Sequence, residues 1–287
     1  RLDADVYYQR LDVLPTGSFK PLGFFNLVDA LDPIHRTNGL ITASMGNQGQ
    51  ALAYAAHHSG IPATVVVPET LDNPGKIGSM ERLGATVLKD GDDIDESREV
   101  AGRKADEEDL RYVNGGNEPD LIAGRASAGL DVLDAVPSAD LVFAPIGGGS
   151  LAAAYCLSLG RITGASVVGV QAAGADAVYQ SWKTGSPVSR ESVDTIAEGI
   201  ATRIPFELTL DVLREHLSDM VLVSDDEIAA AIRTLIERES IIAEGAGAAP
   251  TAAATGLKEE VAGRTVVLPI SGRNLATEKM RRILAEG

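Results

Sequence analysis

Short β-branched and apolar runs alternate with helical patterns along most of this chain, and no other feature limits its fold so tightly. Strand patterns fall at 39–42, 63–67, 85–88, 141–144, 167–170, 220–223 and 265–269, and Asp5-Val6-Tyr7-Tyr8 already reads as a strand. Helical patterns lie at 47–59, 74–83, 94–108, 120–136, 150–159, 225–239 and 275–285. Ser224-Asp225-Asp226-Glu227 is a capping-box signature opening one of them. Residues 185–215 show no strong period and read as irregular structure or a short helix. Such alternation predicts an α/β architecture, with parallel sheets covered by helices on both faces. Sheets of this kind take ligands beyond the carboxyl ends of their strands, where loops lead into helices. We expect two domains, each an open, mostly parallel twisted sheet flanked by helices. The polar crossover Asn114-Gly115-Gly116-Asn117-Glu118-Pro119 sets their limits at 36–116 and at 1–35 with 117–287.

At 287 residues and 45% apolar, the chain can bury one or two cores. It has no apolar run of about 18 residues, so no membrane partner is expected. A net charge of −16 argues against nucleic acid. Only seven of its 25 basic residues are lysine, against 41 acids. Acid-rich, lysine-poor surfaces stay hydrated in concentrated salt, which points to a halophilic source. The single cysteine, Cys156, reads as a packed thiol; it excludes a disulfide or zinc framework and fits a cytoplasmic location. The chain opens at Arg1 without a signal-peptide pattern and reads as beginning within a protein.

Chemistry-bearing residues cluster in four segments. Pro15-Thr16-Gly17-Ser18-Phe19-Lys20 puts a lysine just after a tight turn, among small, hydroxyl and aromatic residues. A lysine that must lose its proton and attack an aldehyde needs such a setting, because burial lowers its pKa; the other reading of these six residues is an ordinary loop lysine. Pro145-Ile146-Gly147-Gly148-Gly149-Ser150-Leu151 follows an apolar strand and precedes an alanine-rich helix. Consecutive glycines let backbone N–H groups close around an anion, and the helix dipole adds to this. The loop lacks the Gly-Lys-Ser/Thr ending of a nucleotide P-loop and the Gly-x-Gly-x-x-Gly spacing of dinucleotide binders. It fits a monophosphate without a metal, or else a simple tight turn. Ser44-Met45-Gly46-Asn47-Gln48-Gly49-Gln50 sits at another strand-to-helix junction and offers donors for a carboxylate, or a plain N-cap. Ser271-Gly272-Arg273-Asn274 precedes the last helix; its serine can donate to a ring nitrogen or cap the helix.

In this order and spacing, Gly-Ser-Phe-Lys, Gly-Asn, Gly-Gly-Gly-Ser and Ser-Gly-x-Asn resemble the fold-type II family of pyridoxal-phosphate enzymes, which includes tryptophan synthase β, threonine dehydratase and serine racemase. The resemblance runs from Asp5 to the last helix and is strongest to the threonine/serine ammonia-lyases. It implies that Lys20 carries pyridoxal 5'-phosphate, that Phe19 packs near the ring and that Asn47 bonds the phenolic oxygen. Gly147, Gly148, Gly149, Ser150 and Leu151 would hold the phosphate, and Ser271 would face the ring nitrogen. The loop Ser44, Met45, Gly46, Asn47 and Gln48 would bind the substrate carboxylate, with Ser44 or the cofactor phosphate giving a proton to the leaving hydroxyl. Domain 36–116 would be a small mobile substrate domain closing on the cofactor domain, with hinges at 32–38 and 114–119. A homodimer or higher homo-oligomer is expected.

The chain departs from the family pattern at several points. Leu22 stands where an arginine is usual, Gln48 replaces a common histidine, and Met45 replaces the second serine of serine racemases. Gln171 and Ala177 stand where some members hold a divalent cation, so no metal is expected there. The family's usual N-terminal segment is expected to be missing, and no regulatory domain is expected after the last helix. Thr195-Ile196-Ala197-Glu198-Gly199 resembles a Thr-x-Ala-Asp-Gly segment with Glu for Asp, and Glu244 matches a glutamate of open role. The expected activity is β-elimination from a hydroxy amino acid such as threonine or serine, giving ammonia and a 2-oxo acid. The alternatives are elimination from 3-hydroxyaspartate, β-replacement as in cysteine synthase, and a non-catalytic phosphate-ligand sensor.

Overall fold

A computed structural model describes residues 2–285. Its Cα positions separate into two compact units, one running from Lys20 to Gly124 and the other comprising the chain up to Phe19 and from Arg125 onward. Each unit is built on a parallel sheet flanked by helices, as the alternating pattern predicts.

The larger unit carries β1 (Asp5–Gln9), β6 (Leu141–Pro145), β7 (Ser166–Ala172), β8 (Asp219–Val223) and β9 (Thr265–Pro269), in the order β1-β9-β6-β7-β8. Every pair is parallel, with Asp5 opposite Thr265 and Leu141 opposite both Val266 and Ser166. All five residues of β6 are buried, which explains its unbroken apolar run. The smaller unit carries β2 (Leu40–Ala43), β3 (Ala63–Val67), β4 (Thr86–Lys89) and β5 (Arg111–Tyr112), in the order β4-β3-β2-β5. β5 is only two residues long, too short to leave a pattern in the sequence.

The smaller unit is wider than the expected 36–116. The helix Pro21–Asp29 belongs to it because Phe24, Leu27 and Val28 pack in one cluster with Ala51, Leu52 and Val65. On the far side Leu121 joins the same cluster, so the helix Pro119–Arg125 extends the unit to Gly124. The chain therefore passes between units at Phe19–Lys20 and Gly124–Arg125, and not at the expected hinges. The expected loop at 32–38 is also corrected: Pro33–Asn38 is a helix, with the Asp32 carboxylate accepting from the N–H groups of Ile34 and His35.

Two expected helices are interrupted. The pattern at 120–136 divides into Pro119–Arg125 and Ser127–Ala135, since its halves belong to different units. The pattern at 150–159 is helical over Ser150–Tyr155 and then widens into a π turn over Cys156–Gly160. There Ser158 lies so close to Gly129 that a Cβ on that glycine would stand 2.0 Å from Ser158 Oγ. Cys156 is buried, and burial pushes its thiol up to about 12. The capping box forms as read, with Glu227 N–H donating to Ser224 Oγ and Ser224 N–H donating to the Glu227 carboxylate.

Candidate active site

In the larger unit three adjacent strands, β1, β9 and β6, send their carboxyl ends toward the same edge. The segments that follow them are the ones the sequence singles out. After β1, Pro15–Gly17 forms a 3-10 turn in which Thr16 (φ 67°) and Gly17 (φ 70°) are both left-handed. A β-branched residue in that region is strained, and surrounding bonds must hold it there. They come from the segment after β9. Asn274 Nδ2 donates to the Thr16 carbonyl (2.8 Å), Arg273 N–H to the Gly17 carbonyl (2.9 Å) and Phe19 N–H to the Ser271 carbonyl (3.0 Å). Ser18 pairs with Gly272 in an antiparallel bridge. A Cβ on Gly17 would stand 2.8 Å from Asn274 Oδ1, so the ladder needs glycine for its approach as well as its φ.

This ladder brings Ser271, 3% exposed, beside Phe19. The next residue, Lys20, caps the helix Pro21–Asp29 in the smaller unit and is half-buried. Above the Phe19 ring, 5.5 Å from its centre, lies the guanidinium of Arg125. Arg125 is fully buried, and desolvation pushes it down to about 9. Nothing in the sequence around Arg125 marks it as a core residue.

After β6 the chain turns through Gly147, Gly148 and Gly149 into the helix Ser150–Tyr155. A Cβ on Gly147 would stand 2.7 Å from the Gly199 carbonyl, and one on Gly148 2.8 Å from the Phe206 ring. Gly149 is left-handed (φ 84°), and its Cβ would meet Leu213 at 2.9 Å. Thr209 Oγ1 donates to the Gly148 carbonyl at 2.6 Å. The back of the loop is thus walled by residues 199–213, including the helix Glu207–His216. Among the described residues, no oxygen accepts from the N–H groups of residues 147–151, although Ser150 and Leu151 are 5% and 2% exposed. Buried backbone donors at a helix start without acceptors fit an anion, so the loop suits the phosphate of a cofactor. Thr209 and Phe206, which build this wall, fall in the stretch without a clear period and left no signal in the sequence.

The Thr195–Gly199 segment is held from behind. Thr195 Oγ1 donates to the Asp225 carboxylate (2.6 Å), as does Ile196 N–H (2.9 Å). Glu198 pairs with Lys279 on the last helix, Thr277–Ala285. Glu244 Oε1 would lie 3.4 Å from a Cβ on Gly199, and Glu244 N–H donates to the Gly272 carbonyl at 3.0 Å. Gln171 is fully buried, its Oε1 accepting from Tyr179 N–H at 2.8 Å, and Ala177 opens the helix Ala177–Thr184. Among the described residues no group of three or more His, Cys, Asp or Glu is placed to hold a metal ion.

In the smaller unit residues 44–48 follow β2 and lead into the helix Asn47–Ser59. Ser44 is 7% exposed, and its Oγ accepts from Gly46 N–H (3.2 Å) and Gly49 N–H (2.9 Å). That leaves the hydroxyl proton available to donate. Met45 is 42% exposed, and a Cβ on Gly46 would meet nothing within 4 Å, so this side of the loop is open. Asn47 is the first residue of the helix. Gln48 Nε2 donates to Thr42 Oγ1 at 2.9 Å.

Comparison with known proteins places these segments in a family. Residues 1–272 match the profile described as pyridoxal-phosphate dependent enzyme. The L-threonine ammonia-lyase of Thermotoga maritima is 34% identical over 284 residues, which cover 99% of this chain and 70% of that protein. The L-threo-3-hydroxyaspartate ammonia-lyase of Saccharomyces cerevisiae is 30% identical, covering 99% of this chain and 87% of that protein. The solved structure of the processed form of threonine deaminase isoform 2 from Solanum lycopersicum superposes with a TM-score of 0.95 at 30% identity, covering 99% of this chain and 84% of that one. The chain thus belongs to the pyridoxal-phosphate-dependent enzymes of fold-type II, as the lysine, glycine and serine segments imply.

Proposed function

We propose that this chain is an ammonia-lyase that removes the β-hydroxyl of a hydroxy amino acid such as threonine or serine, releasing ammonia and a 2-oxo acid. The observation that carries the reading is the ladder between residues 16–19 and 271–274, which seats Ser271, a residue with a neutral side chain, beside the segment that leads into Lys20. The ammonia-lyase relatives support it.

The N–H groups of residues 147–151 would hold the phosphate, Phe19 would pack against the ring, and Asn47 would bond the phenolic oxygen. When bound, pyridoxal phosphate supplies an electron sink for the bond broken at Cα. Lys20 would anchor the cofactor, and its free amine would take the Cα proton. Ser271 would face the ring nitrogen with a hydroxyl that, unlike a carboxylate, does not fix a proton there, a setting that favours elimination of a β-substituent. The start of the helix Asn47–Ser59, with Ser44, Met45 and Gly46, would receive the substrate carboxylate, and Gln48 would shape that loop without touching the ligand. Ser44, whose oxygen already accepts two N–H groups, gives its proton to the leaving hydroxyl. The enamine released into water hydrolyses to the 2-oxo acid and ammonia.

The decisive experiment is a spectrophotometric screen of serine, threonine, their stereoisomers and 3-hydroxyaspartate for 2-oxo acid release by the holoenzyme. Release from threonine or serine is expected; release from 3-hydroxyaspartate alone transfers the assignment to the activity for which the yeast relative is named. No helix of the described residues is long and apolar enough to cross a membrane. We read the setting as a cytoplasmic homo-oligomer adapted to salt. This rests on the single buried thiol, on Tyr7 standing 47% exposed on the edge strand β1, and on the excess of acids over lysines. Greater thermal stability in dilute buffer than in molar KCl would reverse the salt reading.

A further inference from the structure

Residues 114–117 follow β5, and residues 44–48 follow its neighbour β2, so the sheet order sets the two loops side by side. One side chain bridges them. Thr42, fully buried on β2, gives its hydroxyl proton to the Val113 carbonyl at 2.8 Å. Its oxygen can then only accept, and it does so from Gln48 Nε2 at 2.9 Å. This fixes which way the carboxamide points and turns Gln48 Oε1 toward Gly115. A Cβ on Gly115 would stand 2.1 Å from Oε1 and 2.9 Å from Cδ. Gly115 is not among the left-handed glycines, so glycine is required there for close approach rather than for a turn. The loop is also organised internally, Asn114 Oδ1 accepting from the N–H groups of Gly116 (3.2 Å) and Asn117 (3.4 Å).

We infer that Gln48 is a positioning residue: held by Thr42 and fitted against Gly115, it sets how far the 114–117 loop stands from the helix start at Asn47, and so the room for the substrate's carboxylate and β-carbon. The inference rests on the proposed role of the 44–48 loop. It differs from a direct contact of Gln48 with substrate, because one N–H of the amide is held by Thr42 and its oxygen lies against Gly115.

The test is a double-mutant cycle in the holoenzyme with Gly115→Ala, Gln48→Ala and the pair. Two quantities are read: glycine affinity, from the change in the cofactor's visible absorbance, and KM and kcat for threonine. Gly115→Ala is expected to weaken glycine binding and raise KM about tenfold with kcat within about threefold, and to change either by less than about twofold in the Gln48→Ala background. Thr42→Val, which keeps shape and loses the hydroxyl, should raise KM about threefold, and Thr42→Ser should restore it. Equal, additive losses from Gly115→Ala in both backgrounds overturn the inference, as does a fall in kcat at constant KM. Should Gly115→Ala fail to fold, unchanged glycine affinity and KM in Thr42→Val overturn it equally. Glycine carries no β-substituent, so its affinity decides the inference even if no amino acid in the screen yields a 2-oxo acid, an outcome that would sink the elimination reading alone.

Discussion

After β6 the chain turns through three glycines into the helix Ser150–Tyr155 and leaves the N–H groups of residues 147–151 without an oxygen among the described residues. After β2 it turns into the helix Asn47–Ser59 through Ser44, whose hydroxyl takes two N–H groups for itself. Both junctions end a buried parallel strand and begin a helix, so both have the same surplus of donors. On the proposed reading the first keeps that surplus for a dianion, and its back is walled by Gly199, Phe206 and Leu213. The second spends part of it internally and stays open at Gly46, as suits a ligand that comes and goes and a hydroxyl with a proton to give. On that reading bare donors would mark the resident group, and partly capped donors the transient one.

Lys20→Ala separates the two most sharply. Turnover should fall about a thousandfold or more, while equilibrium dialysis should still show pyridoxal phosphate held by the glycine loop. Retained turnover would refute the role of Lys20. Gly147→Ala attacks the walled junction. Its Cβ would meet the Gly199 carbonyl at 2.7 Å, a backbone atom and not the movable end of a side chain. The strain, on the order of 1–3 kcal/mol, should appear as about a ten- to hundredfold loss of cofactor affinity. Unchanged affinity would mean that the wall yields and the contrast in rigidity is wrong.

Ser44→Ala tests the open junction. Loss of a cap alone lowers stability by about 1 kcal/mol; loss of a proton donor should also lower kcat by about a hundredfold. A lower melting temperature with full turnover would reduce Ser44 to a cap. Ser271→Asp should lower turnover about tenfold, because a carboxylate raises the proton affinity of the nitrogen it faces and holds density in the ring. Identical rates and product ratios would leave Ser271 as a structural residue of the ladder. Thr209→Val should have the smallest effect. It removes the hydroxyl that holds the Gly148 carbonyl at 2.6 Å and should lower stability by about 1 kcal/mol, with cofactor affinity following. A stability loss that leaves cofactor affinity unchanged would show that the loop keeps its shape without this bond.

Much of the fold was legible in the sequence because its signals are local. The runs at 63–67 and 265–269 became β3 and β9 at those limits, and the helices Asn47–Ser59, Ile94–Glu108 and Asp225–Glu239 begin and end where period and caps put them. The helix Gly245–Gly256 was not legible. Its glycines and internal Pro250 argue against a helix in spite of its alanines, and it holds because ten of its twelve residues are buried in the larger unit. The chemistry of the candidate site was also local, since an exceptional lysine, three glycines and a lone serine stand out against ordinary turns and caps. What only the tertiary structure decided were the relations between distant segments. These are the ladder joining residues 16–19 to 271–274, the wall that residues 199–213 raise behind the glycines, and the close fit of Gln48 to Gly115. Periodicity reports which face of an element is apolar, whereas these relations depend on which strands lie side by side. The sheet orders β1-β9-β6 and β2-β5 set that, and no local pattern encodes them.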